Sequence, residues 1–373
     1  MTRAAIVPVM KRRVDAGANR DMLAAAMTDC RTDVPLDELL QGVSRTFALS
    51  IPELPSPLGI WVGSAYLVCR IVDTVEDHPA DSEADRQRMF DDLLATLGPP
   101  LQIDRCQRVA ERFTGRRRDE PCCRLMNRCG QVFAQLAAFP PGVIDAVRAC
   151  AVEMIGGLRK TPLTDAGDDP RWLCATLDDL ERYCHYAAGV VGMMLTRLFD
   201  LHLGRDPGAI SEERMSRARR FGQGLQLTNI VKDHPSDLSD GRVFIPPEVA
   251  HRCDLDPNTL LQPALPLPVR AVIVARAADH LDQALAYTLG YPAVPSGIRL
   301  FCLQPLMMAL MTLDRALTHV DVTPDDRPKI TREQVDDVMT TSRRLVGDDA
   351  ALHEWYTRHR RVLAQRLADS PAG

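Results

Sequence analysis

From Leu36 onward, the apolar residues of this chain recur mostly at spacings of three and four. That spacing places apolar side chains along one face of an α-helix, whereas a half-buried strand needs strict alternation. Proline-rich breaks separate stretches of roughly 15 to 30 residues with the helical pattern, and no clear β-hairpin signal lies between them. The breaks read IPELPSPLG, FPPG, IPPEV and LQPALPLPV. The pattern therefore predicts an all-α fold.

The 373 residues of the chain are enough for one large core or two ordinary domains. Residues 1–35 show little periodicity, so we expect a loosely ordered leader there. We expect residues 36–345 to form a single helical domain and residues 346–373 a C-terminal helix and tail. That last helix is amphipathic and charged, and the sequence leaves open whether it packs on the domain or frays.

Composition limits the class of protein. Apolar residues make up 46% and charged residues 25% of the chain, which is typical of soluble globular proteins. The net charge of -5 argues against a nucleic-acid partner, which would need a basic face. No run approaches the ~18 apolar residues that span a bilayer, and the eleven cysteines include no C-x-x-C. We therefore predict a cytoplasmic protein with reduced thiols, and leave contact with a membrane surface open.

A polar stripe runs along the otherwise apolar segment YLVCRIVDTVED. Tyr66, Arg70, Asp73 and Asp77 stand at i, i+4, i+7 and i+11, which places them on one face of a helix. Glu76 lies beside this face. The charges therefore form one stripe and leave the remaining faces free to pack.

A second stripe repeats the pattern in FGQGLQLTNIVKDHPSD. Gln226, Asn229, Asp233 and Asp237 stand at i, i+3, i+7 and i+11, and their flanks are apolar. Pro235 falls between the two aspartates, where a proline costs roughly 3 kcal/mol and kinks or ends a helix. We therefore expect Asp237 on a bent or terminating turn.

The two aspartate pairs suggest a shared cation. Carboxylates one turn apart repel each other by a few tenths of a kcal/mol even at a surface, and two such pairs facing each other in a bundle would repel more. Hard oxygen ligands suit Mg²⁺, which commonly bridges carboxylates to phosphates. The alternative is that each stripe is only a solvated helix edge.

Five motifs, in order, resemble the squalene/phytoene synthase family, most nearly in its squalene synthase form. The resemblance covers most of the chain and implies an all-α, single-domain isoprenoid synthase bundle with a central cavity over residues 36–345. The motifs are SRTF (residues 44–47), DTVED (73–77), YCHYAAGVVG (183–192), LQLTNIVKDHPSDLSDGRVFIP (225–246) and FCLQPLMMALMTL (301–313).

The resemblance implies a Mg²⁺-dependent, head-to-head condensation of two farnesyl diphosphates through presqualene diphosphate, followed by reduction to squalene with NADPH. Alternatives are presqualene diphosphate, dehydrosqualene or phytoene synthesis without reduction, and prenyl transfer to another acceptor. A binding relative without activity is a further alternative of another class. The partners would be prenyl diphosphates, with a peripheral membrane contact for product release, and the chain would be a monomer or a homodimer.

The resemblance also suggests roles for individual residues. Metal ligands would be Asp73, Glu76, Asp77, Asp233 and Asp237. Substrate contacts would come from Ser44, Arg45, Phe47, Gln226, Asn229, Arg242, Val190 and Phe301. Reacting groups would be Tyr183, Tyr66 and Arg70, because an arginine-assisted phenol can move a proton and a guanidinium matches phosphate oxygens. Lys329 would contact NADPH.

The chain departs from the family pattern at two places. Ser236 replaces a glutamate that commonly precedes the last aspartate of the second motif, and Lys232 replaces an arginine, which keeps charge but loses the fork. In PKITREQ, Lys329 and Ile330 match a stretch linked to NADPH, whereas Thr331 stands in place of its arginine and Arg332 comes one position late. The sequence thus supports the condensation more strongly than the reduction.

Overall fold

The computed structural model describes residues 36–44, 46–77, 82–113, 121–162, 170–319 and 327–370. The predicted leader, residues 1–35, and Arg45 lie outside the described residues, so those two predictions stay untested.

The described residues are almost entirely helical, and the predicted all-α fold is confirmed. The N-terminal half contains α1 (Leu36–Val43), α2 (Phe47–Ser50), α3 (Leu58–Asp77), α4 (Glu83–Thr96), α5 (Ile103–Arg112), α6 (Pro121–Asn127), α7 (Cys129–Ala137) and α8 (Pro141–Leu158). The C-terminal half contains α9 (Leu177–Cys184), α10 (Val190–His202), α11 (Glu212–Ser239), α12 (Pro247–Arg252), α13 (Leu267–Leu289), α14 (Gly297–Thr318), α15 (Arg332–Leu345) and α16 (Asp349–Ala368). Short 3₁₀ turns cover Ile51–Glu53, Pro207–Ala209 and Pro257–Leu261.

Strand structure in the described residues is limited to β1 (Arg171–Trp172) and β2 (Arg242–Val243), which pair in parallel. Arg171 stands opposite Arg242 in this register. Gly241 precedes β2 with a φ of 74°, a conformation that costs glycine little. The turn fixes the backbone of Arg242 directly after the end of α11.

The longest helices pack around one core. Helix α11 packs on α10, α13 and α14, and α3 packs on α8 and α10. Their contact faces carry aliphatic and aromatic side chains that are nearly all excluded from solvent. This arrangement brings the two polar stripes, on α3 and α11, into the interior of the bundle.

Helix α11 continues through Pro235 to Ser239, so Asp237 lies in its last turn. Pro235 is buried, as is His234, whose Nε2 lies 3.0 Å from the carbonyl oxygen of Gln262. The expectation of a terminating turn at Asp237 agrees with the helix end two residues later.

The C-terminal helix α16 packs against α13 and α14 through Leu352, Trp355 and Tyr356, which are buried. Arg360 of this helix donates to both carboxylate oxygens of Asp282 at 2.8 and 2.9 Å. Of the two alternatives for this helix, packing on the body is the one present in the structure.

Two helices of the described part, Leu58–Asp77 and Gly297–Thr318, have the length and mean hydropathy of membrane spans, although the sequence has no long uninterrupted apolar run. Within these segments 67% and 83% of the residues are buried inside the protein, as in core helices. The cysteines of the described residues are free thiols, and most are buried.

Candidate active site

A cavity of about 380 Å³ lies between α3, α9, α10, α11 and α14. All eight residues of the two polar stripes line it: Tyr66, Arg70, Asp73, Asp77, Gln226, Asn229, Asp233 and Asp237. The stripes are therefore not separate solvated helix edges, because they meet at one partly open cavity.

Arg242 connects the ends of the two stripes. It donates one hydrogen bond to the Asp77 carboxylate, and its Nη2 lies 3.5 Å from Asp237 Oδ1. It is also 3.6 Å from the more exposed Asp240, and its guanidinium lies 5.8 Å from the Phe244 ring centroid. A single guanidinium thus joins α3 to the last turn of α11.

Arg70 holds the middle of the first stripe. Its Nη1 lies 3.9 Å from Asp73 and 3.6 Å from Asp77, and its Nη2 lies 3.4 Å from the Cys122 sulfur. The buried Nε of Arg70 has no hydrogen-bond partner. This guanidinium therefore retains an unused donor at the cavity.

The second stripe has its own cations. Lys232 donates to Asn229 Oδ1 at 2.8 Å and lies 3.2 Å from Asp233 Oδ2. Arg327, which follows α14 in the chain, donates to Asp233 Oδ1 at 2.7 Å. No sequence pattern predicted Arg327 at this site, because it belongs to a connection without helical periodicity.

Electrostatics divides the acidic residues into two groups. Burial raises the pKa of Asp73 to about 7 and that of Asp237 to about 8, against the opposing effects of Arg70 and Arg242. Burial opposes ionisation of Asp77 as well, but Arg242 and Arg70 outweigh it and lower the pKa of that carboxyl. Near neutral pH, Asp77 is therefore ionised, while Asp73 and Asp237 readily exchange a proton.

Glu76 is buried at the cavity wall, with 8% exposure, and burial together with the charge of Asp77 raises its pKa well above the usual range. Its carboxyl favours the neutral form. It is therefore less suited to hold a cation than the neighbouring aspartates.

Tyr183 enters the cavity from α9, where a capping box of Thr176 and Asp179 begins the helix. Its ring packs 4.7 Å from that of Phe244. Burial and the charges of Glu76 and Asp77 raise the pKa of the Tyr183 phenol well above its ordinary value. The phenol is therefore held neutral in this structure, and it would release its proton only to a basic acceptor.

Tyr66 lies at the other wall. Its hydroxyl donates to the carbonyl oxygen of Val43 at 3.2 Å, and burial raises the pKa of its phenol. Ser44 does not line the cavity. Its hydroxyl accepts from the backbone N–H groups of Phe47 and Ala48 at 3.0 and 3.2 Å, which fixes the turn that brings the Phe47 ring inward.

Apolar and aromatic side chains line the part of the cavity away from the charges. Phe301 lies 6.0 Å from Phe47 and 5.8 Å from Phe199 between ring centroids. Met194 was expected in the lining and is there, whereas sequence reasoning missed several other lining residues: Val191, Leu195, Phe199, Phe221, Phe244 and Tyr287.

Val190 is buried and lies outside the cavity lining, whereas Val191 lines it. The reason is a π-helical turn over His185–Gly189, between α9 and α10. A π-turn holds more residues than an α-turn, so each later residue is rotated back by roughly one position. Regular helical spacing from Tyr183 therefore points to Val190, and the inserted turn moves Val191 into that place.

Two glycines set the distance between α11 and the helix opposite. A Cβ on Gly192 would lie 2.2 Å from the carbonyl oxygen of Ala218, and one on Gly222 would lie 2.2 Å from that of Ala188. Real contacts of this kind do not occur, so only glycine permits this approach. Both glycines also line the cavity.

The donor set fits one kind of metal site. No group of three or more His, Cys, Asp or Glu side chains among the described residues is arranged to hold a metal ion alone. The two aspartate pairs instead face a common space, which suits Mg²⁺ held by one or two carboxylates and by phosphate oxygens. The residues fit a metal shared with a phosphorylated ligand.

Lys329 lies outside the cavity lining, in the connection before α15. Thr331, in place of the family's arginine, begins α15 with a capping box, in which its hydroxyl accepts from the Gln334 N–H at 3.2 Å. The threonine at this position therefore starts a helix, and the role of Lys329 stays a prediction.

A family model described as squalene/phytoene synthase matches residues 40–334. The squalene synthase of Eremothecium gossypii is 30% identical over 280 residues, which cover 74% of this chain and 60% of the relative. The squalene synthase of Schizosaccharomyces pombe is 28% identical over 292 residues, covering 76% and 60%. The matched part of the chain thus spans 60% of the length of each of these relatives.

The fold has solved counterparts. A structure of TcSQS in complex with a ligand matches this chain with a TM-score of 0.68 and 23% identity, over 90% of each chain. At this identity the likeness concerns the fold.

Proposed function

The chain belongs to the squalene/phytoene synthase family and has its all-α isoprenoid synthase fold, and from this premise we propose that it condenses two prenyl diphosphates head to head. Farnesyl diphosphate is the proposed substrate, since the similar curated relatives are squalene synthases. The observation that carries the proposal is the meeting of two aspartate pairs at one partly open, largely apolar cavity.

Diphosphate departure requires positive charge where negative charge develops. Asp73, Asp77, Asp233 and Asp237 would hold Mg²⁺, which when bound would neutralise the leaving diphosphate. Arg70 and Arg242 lie among these carboxylates and would contact the phosphate oxygens directly, since a guanidinium matches them bidentately.

The allylic cation that remains must be kept from water. The apolar section of the cavity would enclose the prenyl chains. The rings of Phe47 and Phe301 face this section, where a π-face contact with a cation is worth ~0.5–2 kcal/mol. Tyr183, neutral and next to Arg242, would hand a proton to the departing diphosphate or return one.

Two kinds of product are proposed, one that requires reduction and one that does not. Reduction to squalene would need NADPH near Lys329, whereas a chain that stops at presqualene diphosphate or dehydrosqualene needs none. The use of Thr331 as a helix cap, where the family motif has arginine, favours the second candidate. Cytoplasmic location and contact with a membrane also remain predictions.

Incubation of the purified chain with farnesyl or geranylgeranyl diphosphate and Mg²⁺, with and without NADPH, tests the proposal by mass spectrometry of the products. A C30 product is expected from farnesyl diphosphate. Squalene formed only with NADPH supports the reductive reaction, and presqualene diphosphate or dehydrosqualene in both samples supports the non-reductive one. Consumption of farnesyl diphosphate without any C30 product contradicts the condensation.

A further inference from the structure

Arg327, in the connection between α14 and α15, contacts the second stripe. Its Nη1 donates to Asp233 Oδ1 at 2.7 Å, and the side chains are 21% and 27% exposed. Its Nε is buried without a hydrogen-bond partner. The Arg327 guanidinium thus donates a hydrogen bond to Asp233 through Nη1, while its Nε–H has no acceptor.

The contact completes a pattern in the cavity. Asp73 and Asp77 lie near Arg70, Asp77 and Asp237 share Arg242, and Asp233 holds Arg327 and Lys232. Every aspartate of the two stripes therefore has a cationic side chain within ion-pair distance. A divalent ion that binds Asp233 must compete with Arg327 for the same carboxylate.

We propose that Arg327 is a diphosphate-binding residue of this chain, which holds Asp233 in the absence of ligand and transfers to a diphosphate oxygen when a divalent ion takes Asp233. The proposal rests on the proposed function and adds one residue to it. The exchange conserves charge, since the guanidinium leaves one anion for another as the metal arrives.

Geometry favours a guanidinium in this role. The planar guanidinium of arginine matches phosphate oxygens as well as it matches a carboxylate. Arg327 donates a hydrogen bond to Asp233 from Nη1. Lys232, a point charge that also binds Asn229, would remain beside Asp233 and limit the cost of the exchange.

Metal and diphosphate binding, measured separately, test the exchange without an activity assay. The variants are Arg327→Gln and Arg332→Gln, the latter an exposed arginine at the start of α15 as the matched loss of charge. Mn²⁺ binding alone is followed by electron paramagnetic resonance. Binding of inorganic diphosphate in excess Mg²⁺ is followed by calorimetry.

For Arg327→Gln we expect tighter Mn²⁺ binding alone, by several-fold, because a competitor is gone. We expect diphosphate binding with Mg²⁺ to weaken about tenfold, as for the loss of one charge-assisted hydrogen bond. Arg332→Gln should change neither. An increase in Mn²⁺ affinity together with a decrease in diphosphate affinity indicates the exchange. Loss of an ion pair that only stabilises the fold would not change the two affinities in opposite directions.

The inference is overturned if Arg327→Gln leaves the affinities for Mn²⁺ and for diphosphate unchanged, or weakens both equally. The proposed function would then still stand. An Arg332→Gln variant with the same effects also overturns it. A wild-type chain that binds neither Mn²⁺ nor diphosphate overturns both. Should Arg327→Gln fail to fold, Arg327→Lys decides: it should keep Mn²⁺ binding near wild type and weaken diphosphate several-fold, and unchanged diphosphate binding contradicts the inference.

Discussion

Arg242 donates a hydrogen bond to Asp77 across the cavity, so that the turn after α11 is tied to the end of α3. The two residues are 165 positions apart in the chain. The same guanidinium reaches Asp237, so one side chain sets the separation of the two aspartate pairs. Its removal should therefore affect both stability and catalysis.

For Arg242→Gln we predict a loss of ~2 kcal/mol in the free energy of unfolding, because two half-buried carboxylates lose a charged donor. We also predict at least a hundredfold loss in the rate of diphosphate release. Urea denaturation and a diphosphate-release assay measure the two effects. Arg171→Gln, on the exposed residue opposite Arg242 in the strand pair, is the control and should stay near wild type.

The raised pKa values of Asp73 and Asp237 predict a pH dependence of stability without metal. A carboxyl in an unfolded chain titrates near ~3.9, whereas these two titrate at about 7 and about 8 in the folded chain. The folded state therefore binds more protons than the unfolded state between about pH 4 and about pH 8, so its stability should fall as the pH rises over this range and level off above about pH 8. Urea unfolding in a chelator, between about pH 5 and 8.5, measures the slope.

Asp73→Asn should flatten that slope up to about pH 7 and leave the metal-free chain more stable than wild type above it, since asparagine carries no charge to bury. The same variant should lose catalysis. Asp336→Asn, on the exposed face of α15, should leave the profile unchanged. A wild-type profile that rises between pH 6 and 8.5 would contradict the assignment.

Tyr183→Phe should lower turnover about a hundredfold while leaving stability nearly unchanged, because the variant loses a proton donor and keeps the ring against Phe244. Tyr186→Phe provides a matched control from the same motif. Tyr186 does not line the cavity and packs beside Gly157 and His185. Equal losses in the two variants would show that the effect comes from packing.

The sequence predicts much of the fold and both stripes, because helical periodicity is local. Asp73 and Asp77 are one turn apart in any α-helix that contains them, independent of tertiary packing, and the same holds for Asp233 and Asp237. What meets them across the cavity depends on tertiary structure. Arg327 is invisible to periodicity for that reason.

Local geometry can also override a regular pattern. The family resemblance suggested Val190, but after the π-turn over His185–Gly189 it is Val191 that lines the cavity. Thr331 departs from the family motif, in which this position is arginine, and in the structure it is the N-cap residue of α15. Both outcomes depend on backbone hydrogen bonds that a residue spacing does not specify.

Two glycine-to-alanine substitutions distinguish the effect of helix propensity on stability from the effect of close packing between helices. Gly222→Ala should lower the free energy of unfolding by ~1–3 kcal/mol or more, because its Cβ would meet the backbone oxygen of Ala188 at 2.2 Å and backbone cannot yield as a side chain does. It should also lower activity, since α11 would be forced away from the π-turn His185–Gly189 beside the cavity. Urea denaturation and diphosphate release measure both effects.

Gly156→Ala is the matched change, within α8, where no atom beyond the adjacent backbone of the same helix lies within 4 Å of the added Cβ. There the same methyl group should raise stability by about 0.5–1 kcal/mol, as alanine loses less entropy than glycine in a helix. Opposite signs at the two positions follow from the close approach of α11 to the residues around Ala188. Stabilisation by Gly222→Ala would contradict the close approach of Gly222 to Ala188.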